Sequence, residues 1–269
     1  MKKTISSLLT AVFAFTAFGF NSTDESTNSK PQTYVLVHGA WQSPYVWDTV
    51  RTNLEKKGNH VIVVELPAHG TDATPVHILS INAYRDKVIE AISNVDGKVI
   101  LVGHSMAGAV VTAVAESIPS RITKLVYIGA FLPASGQSIG DLAMSDPDSK
   151  LGPSLVESAD RLTLDVKADQ LTNLFIADGN ASVKQKIIDN YRAEPAIPFG
   201  DKIIVTEKNF GSVQKAYIKT LQDVVISPRL QSQMIANARI TTVFEVNTSH
   251  SPFLSQPETV SDLLLQIGK

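Results

Sequence analysis

Residues 99–116 read VILVGHSMAGAVVTAVAE, and this stretch decides the fold. Four apolar residues lead into Gly103-His104-Ser105-Met106-Ala107-Gly108, after which small residues continue with helical character. An apolar run of this kind is a strand covered on both faces. The chain therefore turns from a buried strand straight into a helix, with one serine at the turn. A hydroxyl placed there is thrust clear of the backbone. It also sits at a helix N-terminus, where free N–H groups and the dipole favour developing negative charge. Gly103 and Ala107 supply the small side chains that such a turn needs. Ser105 is the candidate nucleophile.

Outward from this unit, short β-branched runs alternate with longer segments of helical period. Strands are expected over residues 33–39, 60–67, 98–103, 124–130, 215–220 and 240–246. Helices are expected over 45–57 behind Pro44, 81–93 capped by Ser80, 106–117, 228–236 capped by Ser227, and 256–267, where Ser255 and Glu258 stand at capping-box spacing. Such alternation predicts an α/β fold with a mostly parallel, doubly wound sheet. Between residues 131 and 210 no strand pattern is read, while helical pieces such as 181–191 behind Asn180 are. A structureless loop of that length is foreign to a compact domain, so an inserted helical lid is expected after the fourth strand. Its apolar residues Leu142, Met144, Leu151, Leu174, Phe175 and Phe199 either roof a pocket or pack the lid's own small core.

Composition narrows the function. A chain of 269 residues with 43% hydrophobic and 19% charged content can bury a sizeable core. Its 24 basic and 26 acidic residues leave a formal charge of -2 with no basic run, so nucleic acid is not an expected partner. The sequence holds no cysteine, which excludes disulfides, thiol nucleophiles and thiolate metal sites. Lys2 and Lys3 precede an apolar run, and Ala17 and Gly19 offer small residues before a cut, so residues 1–19 read as a secretory signal. The alternative is an uncleaved anchor. Residues 20–32 are expected to be a disordered spacer, and 33–269 the folded domain. The expected location is the periplasm or the outside of the cell, with no stable membrane insertion once the signal is cut. Asn21, Asn180 and Asn247 head N-x-[ST] matches.

A serine hydroxyl needs a general base, and the base needs an orienting acid. His60 and His77 lie at strand or loop edges, His104 points away from the elbow, and His38 and His69 suit backbone shaping in the loops after the first two strands. His250, in NTSHSPFLSQP, follows the last strand on the carboxyl edge that also carries the elbow. Asp223, in YIKTLQDVVISP, is the carboxylate of the loop after the fifth strand; its alternative role is to cap the nearby helix. Asp201 falls in the lid and Glu245 within a strand. The order Ser105, Asp223, His250 is that of triads on this type of sheet.

YVLVHGAW with Trp47 behind it, VELPAHG, LVGHSMAG, FGSVQKAYIKTLQD and SHSPFLSQP resemble, in this order, the α/β-hydrolases of the plant methylesterase and hydroxynitrile lyase type and their bacterial esterase relatives. The resemblance implies Ser105 as nucleophile, His250 as general base and acid, Asp223 as its orienting carboxylate, and an oxyanion hole from the backbone N–H groups of Ala40 and Met106. The mechanism it implies requires no metal and no cofactor, and the absence of a basic stripe together with the apolar lid residues predicts a small, largely uncharged substrate. Three positions depart from the pattern. Ala107 stands where glycine is common, Gly39 where the lyases carry threonine, and Ser251 where they carry the lysine that stabilises departing cyanide. The esterase branch is therefore expected, with a hydroxynitrile lyase or a non-catalytic binder on the same scaffold as alternatives.

Overall fold

The computed structural model describes residues 30–269. The expected signal, most of the spacer and Asn21 lie outside the described residues. In chain order the elements are β1 Thr33–Val37, α1 Asp48–Lys56, β2 His60–Val64, α2 Ile81–Ala91, β3 Val99–His104, α3 Ala107–Ser117 and β4 Ile122–Ile128. An inserted segment follows with α4 Ile139–Met144, β5 Leu155–Glu157, β6 Thr163–Val166, α5 Leu171–Phe175, α6 Ala181–Asp189, β7 Glu194–Pro195 and α7 Ile197–Gly200. The chain closes with β8 Gln214–Thr220, α8 Pro228–Asn237, β9 Thr242–Val246, α9 Pro252–Ser255 and α10 Pro257–Gly268.

Six parallel strands form the central sheet in the order β2-β1-β3-β4-β8-β9. Strand residues alternate between its two faces. Val35, Val37, Leu101 and Leu125 meet Val88 of α2, Val110 and Val114 of α3 and Leu230 of α8 on one side. Tyr34, Leu36, Ile100, Val102 and Val126 meet Leu54 of α1 and Leu264 of α10 on the other. Burial on both sides is why the strands read as nearly unbroken apolar runs. Each buried Val, Leu or Ile contributes about 1.5–3 kcal/mol. The chain reverses its direction of winding between β1 and β3, and the crevice outside the carboxyl ends at such a point is where α/β sheets place their sites.

The insertion is not purely helical. β5, β6 and β7 form a three-stranded antiparallel sheet, paired Val156 to Asp165 and Leu164 to Glu194. These strands are two to four residues long, too short for a two-residue period to stand out from the sequence. Leu142, Leu151, Leu174 and Phe175 are buried, whereas Met144 is 82% exposed and roofs nothing. The start of α10 also differs from expectation. Pro257 occupies its first turn and Gln256 is the cap, because proline fixes the helical φ and needs no N–H acceptor. Ser255 instead ends α9, and its buried hydroxyl makes no hydrogen bond. Ser80, Asn180 and Ser227 cap α2, α6 and α8 through Ala83, Val183 and Leu230 N–H. Among the described residues no helix is long and apolar enough to cross a membrane.

Candidate active site

The turn between β3 and α3 is tight in a measurable way. Ser105 has φ of 54°, in the left-handed region that an L residue enters at a cost of about 1–2 kcal/mol. A Cβ on Gly103 would lie 2.7 Å from Ala107 O, and one on Gly108 would lie 2.2 Å from Phe131 O. Strand and helix therefore require glycine at 103 and 108. The constraint at 108 carries no signal in the sequence beyond the glycine itself.

His250 and Asp223 converge on this serine. His250 Nδ1–H donates to Asp223 Oδ2 at 2.8 Å, leaving Nε2 to accept the Ser105 hydroxyl at 2.9 Å. Ser105, Asp223 and His250 are 5%, 3% and 1% exposed, so the chain of hydrogen bonds is shielded from solvent. Asp223 does not cap α8; Ser227 does. Its Oδ1 accepts Val225 and Ile226 N–H at 2.8 and 3.0 Å, and Oδ2 accepts the Thr220 hydroxyl at 2.8 Å. Gln231 braces the same loop. Its side-chain oxygen accepts Thr220 N–H at 3.0 Å, and its amide donates to Ile226 O at 2.7 Å. Sequence reading missed Gln231; a glutamine one turn into a capped helix, facing the core, is the faint signal.

Ala40 lies in the turn after β1 and Met106 in the elbow itself, and among the described residues neither N–H has a backbone acceptor. Beside them, His38 accepts Leu66 N–H through Nε2 at 3.2 Å and donates from Nδ1 to Gly39 O at 2.9 Å. It thereby ties the first loop to the second. Burial, with the neighbouring His69 charge, pushes its pKa down to about 3 despite the Gly39 bond. His104 donates from Nε2 to His250 O at 2.9 Å, supporting the histidine loop, and burial holds it neutral too. His60 and His77 are exposed. His69 does more than shape backbone: besides Pro67 O at 3.0 Å it faces the buried Glu194 of β7 at 2.8 Å. Ser251 accepts a hydrogen bond from Gln42 at 3.1 Å. Asp201 accepts Ile81 N–H, and Glu245 pairs with Lys219, both away from the serine. Among the described residues no group of three His, Asp or Glu side chains is placed to hold a metal ion.

A parallel sheet carrying a serine on a strained strand-to-helix turn, with histidine and aspartate on later carboxyl-edge loops, defines a hydrolase-type scaffold. The sequence matches the alpha/beta hydrolase family over residues 34–263, and the chain belongs to that family. It is 30% identical over 262 residues to putative methylesterase 13, chloroplastic, of Arabidopsis thaliana, covering 90% of this chain and 57% of that protein. The chain thus spans little more than half of that relative. It is 27% identical to the alpha-hydroxynitrile lyase of the same plant, covering 87% of this chain and 96% of that one. The fold is that of the polyneuridine aldehyde esterase crystal structure, with a TM-score of 0.80, 22% identity, and coverage of 89% of this chain and all of that one.

Proposed function

We propose that the protein is a serine-dependent carboxylic ester hydrolase acting on a small, largely apolar ester. The observation that carries this reading is the unbroken chain from Ser105 Oγ through His250 to Asp223, at 2.9 and 2.8 Å. His250 takes the serine proton as Oγ attacks the ester carbonyl, and Asp223 stabilises the imidazolium that results. The N–H groups of Ala40 and Met106 hold the oxyanion. His250 returns the proton to the departing alcohol. A water deprotonated by His250 then attacks the acyl carbon, releases the acid and restores the serine. Neither a metal nor a cofactor takes part.

The surroundings support an uncharged substrate. The Phe175 ring lies 6.1 Å from that of His250 and 5.6 Å from that of Trp41, and Phe199 packs on Trp41 at 6.0 Å. Apolar rings beside the proposed base favour an apolar group there. The methylesterase relatives agree with ester cleavage. Cyanide release is disfavoured on two grounds. Ser251 offers no cation beside His250, and a Cβ at Gly39 would meet His104 Nδ1 and Ser105 Cβ at 2.8 Å, leaving no room for threonine. The test is a fluorophosphonate probe, which labels Ser105 and no other serine, together with a panel of p-nitrophenyl esters of graded chain length. Ser105→Ala is expected to be unlabelled and inactive. Folded wild-type protein that stays unlabelled would overturn the reading.

A further inference from the structure

Glu194 belongs to the inserted segment, yet its fully buried carboxylate serves the loop after β1. Oε2 accepts the backbone N–H of Trp41 at 2.8 Å and faces His69 Nε2 at 2.8 Å. Burial lowers the His69 pKa, but the Glu194 charge and hydrogen bond more than offset this and leave it raised. The neighbouring strand adds a second acceptor, since the Trp41 indole N–H donates to Leu164 O of β6 at 2.8 Å. Both anchors of Trp41 therefore lie in the small antiparallel sheet of the lid. Trp41 needs them. Its φ is 57°, a left-handed conformation that is unfavourable for an L residue. Without Glu194 its N–H would be buried and unpaired, a further cost to the turn. That N–H belongs to the peptide joining Ala40 to Trp41, which shares the Ala40 Cα with the peptide that carries the Ala40 N–H, so fixing the one restrains the other.

We propose that Glu194 is a positioning residue that fixes the Trp41 turn so that the Ala40 N–H points at the reacting carbonyl. The oxyanion hole is then complete only while the lid sheet is in place. This rests on the ester hydrolase reading above. Displacing β6 and β7 withdraws both acceptors from Trp41 at once, so the lid governs transition-state stabilisation. A misplaced donor weakens the transition state more than the ground state.

The experiment compares wild type, Glu194→Ala, Glu194→Asp and Glu194→Gln on the best p-nitrophenyl ester. It also measures inhibition by a trifluoromethyl ketone of matched chain length, which forms a tetrahedral oxyanion on serine, and by the product acid. For Glu194→Ala, kcat and ketone affinity are expected to fall together by about tenfold or more, with KM and product-acid affinity within about twofold. Glu194→Asp withdraws the carboxylate by one methylene and is expected to show the same split, which serves if the alanine variant fails to fold. Glu194→Gln keeps an oxygen for the Trp41 N–H and is expected to recover most of the rate. The proposal is overturned if folded Ala or Asp variants match wild type in kcat and ketone affinity. It is also overturned if every parameter declines alike, or if Gln is as impaired as Ala. Failure of the parent reading looks different: wild-type protein would then resist the fluorophosphonate probe.

Discussion

The two sides of the proposed site are held by different parts of the molecule. On the relay side, Asp223 and His250 leave adjacent strands β8 and β9, and Thr220, Gln231 and two backbone N–H groups brace the carboxylate from within the sheet and α8. On the oxyanion side, the Ala40–Trp41 turn is braced by Glu194 and Leu164 of the inserted segment. On the proposed mechanism, the difference teaches that proton transfer is a property of the core, whereas charge stabilisation is shared with the lid. Mutations can separate the two.

The largest effect is expected from Asp223→Asn. The amide no longer holds His250 in the required tautomer or balances its charge, and kcat is expected to fall about 10⁴-fold with the fold intact. Measuring kcat/KM against pH for wild type and variant checks this, and near wild-type efficiency across the range would remove Asp223 from the relay. A smaller loss, about tenfold in kcat, is expected for Gln231→Leu, which leaves Thr220 N–H and Ile226 O unpaired behind the acid. Steady-state rates beside thermal melts distinguish it: a lower Tm at an unchanged rate would mean that the Asp223 loop holds itself.

The contrast extends to stability. Folded His38 refuses a proton between about pH 3 and its ordinary 6.5, while the unfolded chain takes one. Its contribution is present above 6.5 and shrinks as pH falls through that window. His69, raised by its lid partner, has the opposite sign: its contribution is present below the ordinary value and is lost as pH rises through the folded value. Urea midpoints between about pH 4 and 6.5 should therefore fall less steeply on acidification in His38→Gln, by up to about one bound proton, while His69→Gln is expected to keep the wild-type slope there and to lose the decline in stability that the wild type shows as pH rises above about 6.5. Equal slopes in both would show that the two loops are not distinguished by charge. The smallest effect concerns salt. With a net charge of -2 and apolar rings beside His250, kcat/KM on an uncharged ester is expected to change less than about twofold between low and molar salt. A fall of orders of magnitude would point to a charged substrate.

The relay side was legible in the sequence because its parts are local. Ser105, Asp223 and His250 each follow a strand of five to seven residues, and strand order alone brings them to one edge. The lid side was not. Glu194 lies in a two-residue strand with no motif, and its partners are 125 and 153 residues away, so nothing short of the folded insertion announces it. His69 contacts nearby backbone at Pro67, which its loop position suggests, but its second partner is invisible in the sequence for the same reason. Ser255 misled because capping-box spacing is a local pattern that Pro257 overrides.

The left-handed backbone at Ser105 carries a consequence for inheritance. Threonine would bring the same hydroxyl to the same place, and as chemistry it is the mildest of exchanges. A β-branched side chain, however, is a genuine outlier at a φ of 54°. Of the two aliphatic hydroxyls in the amino-acid alphabet, the turn accepts one. The route by which this lineage could drift to a different alcohol nucleophile is therefore closed by the shape of the main chain, long before reactivity is put to the test.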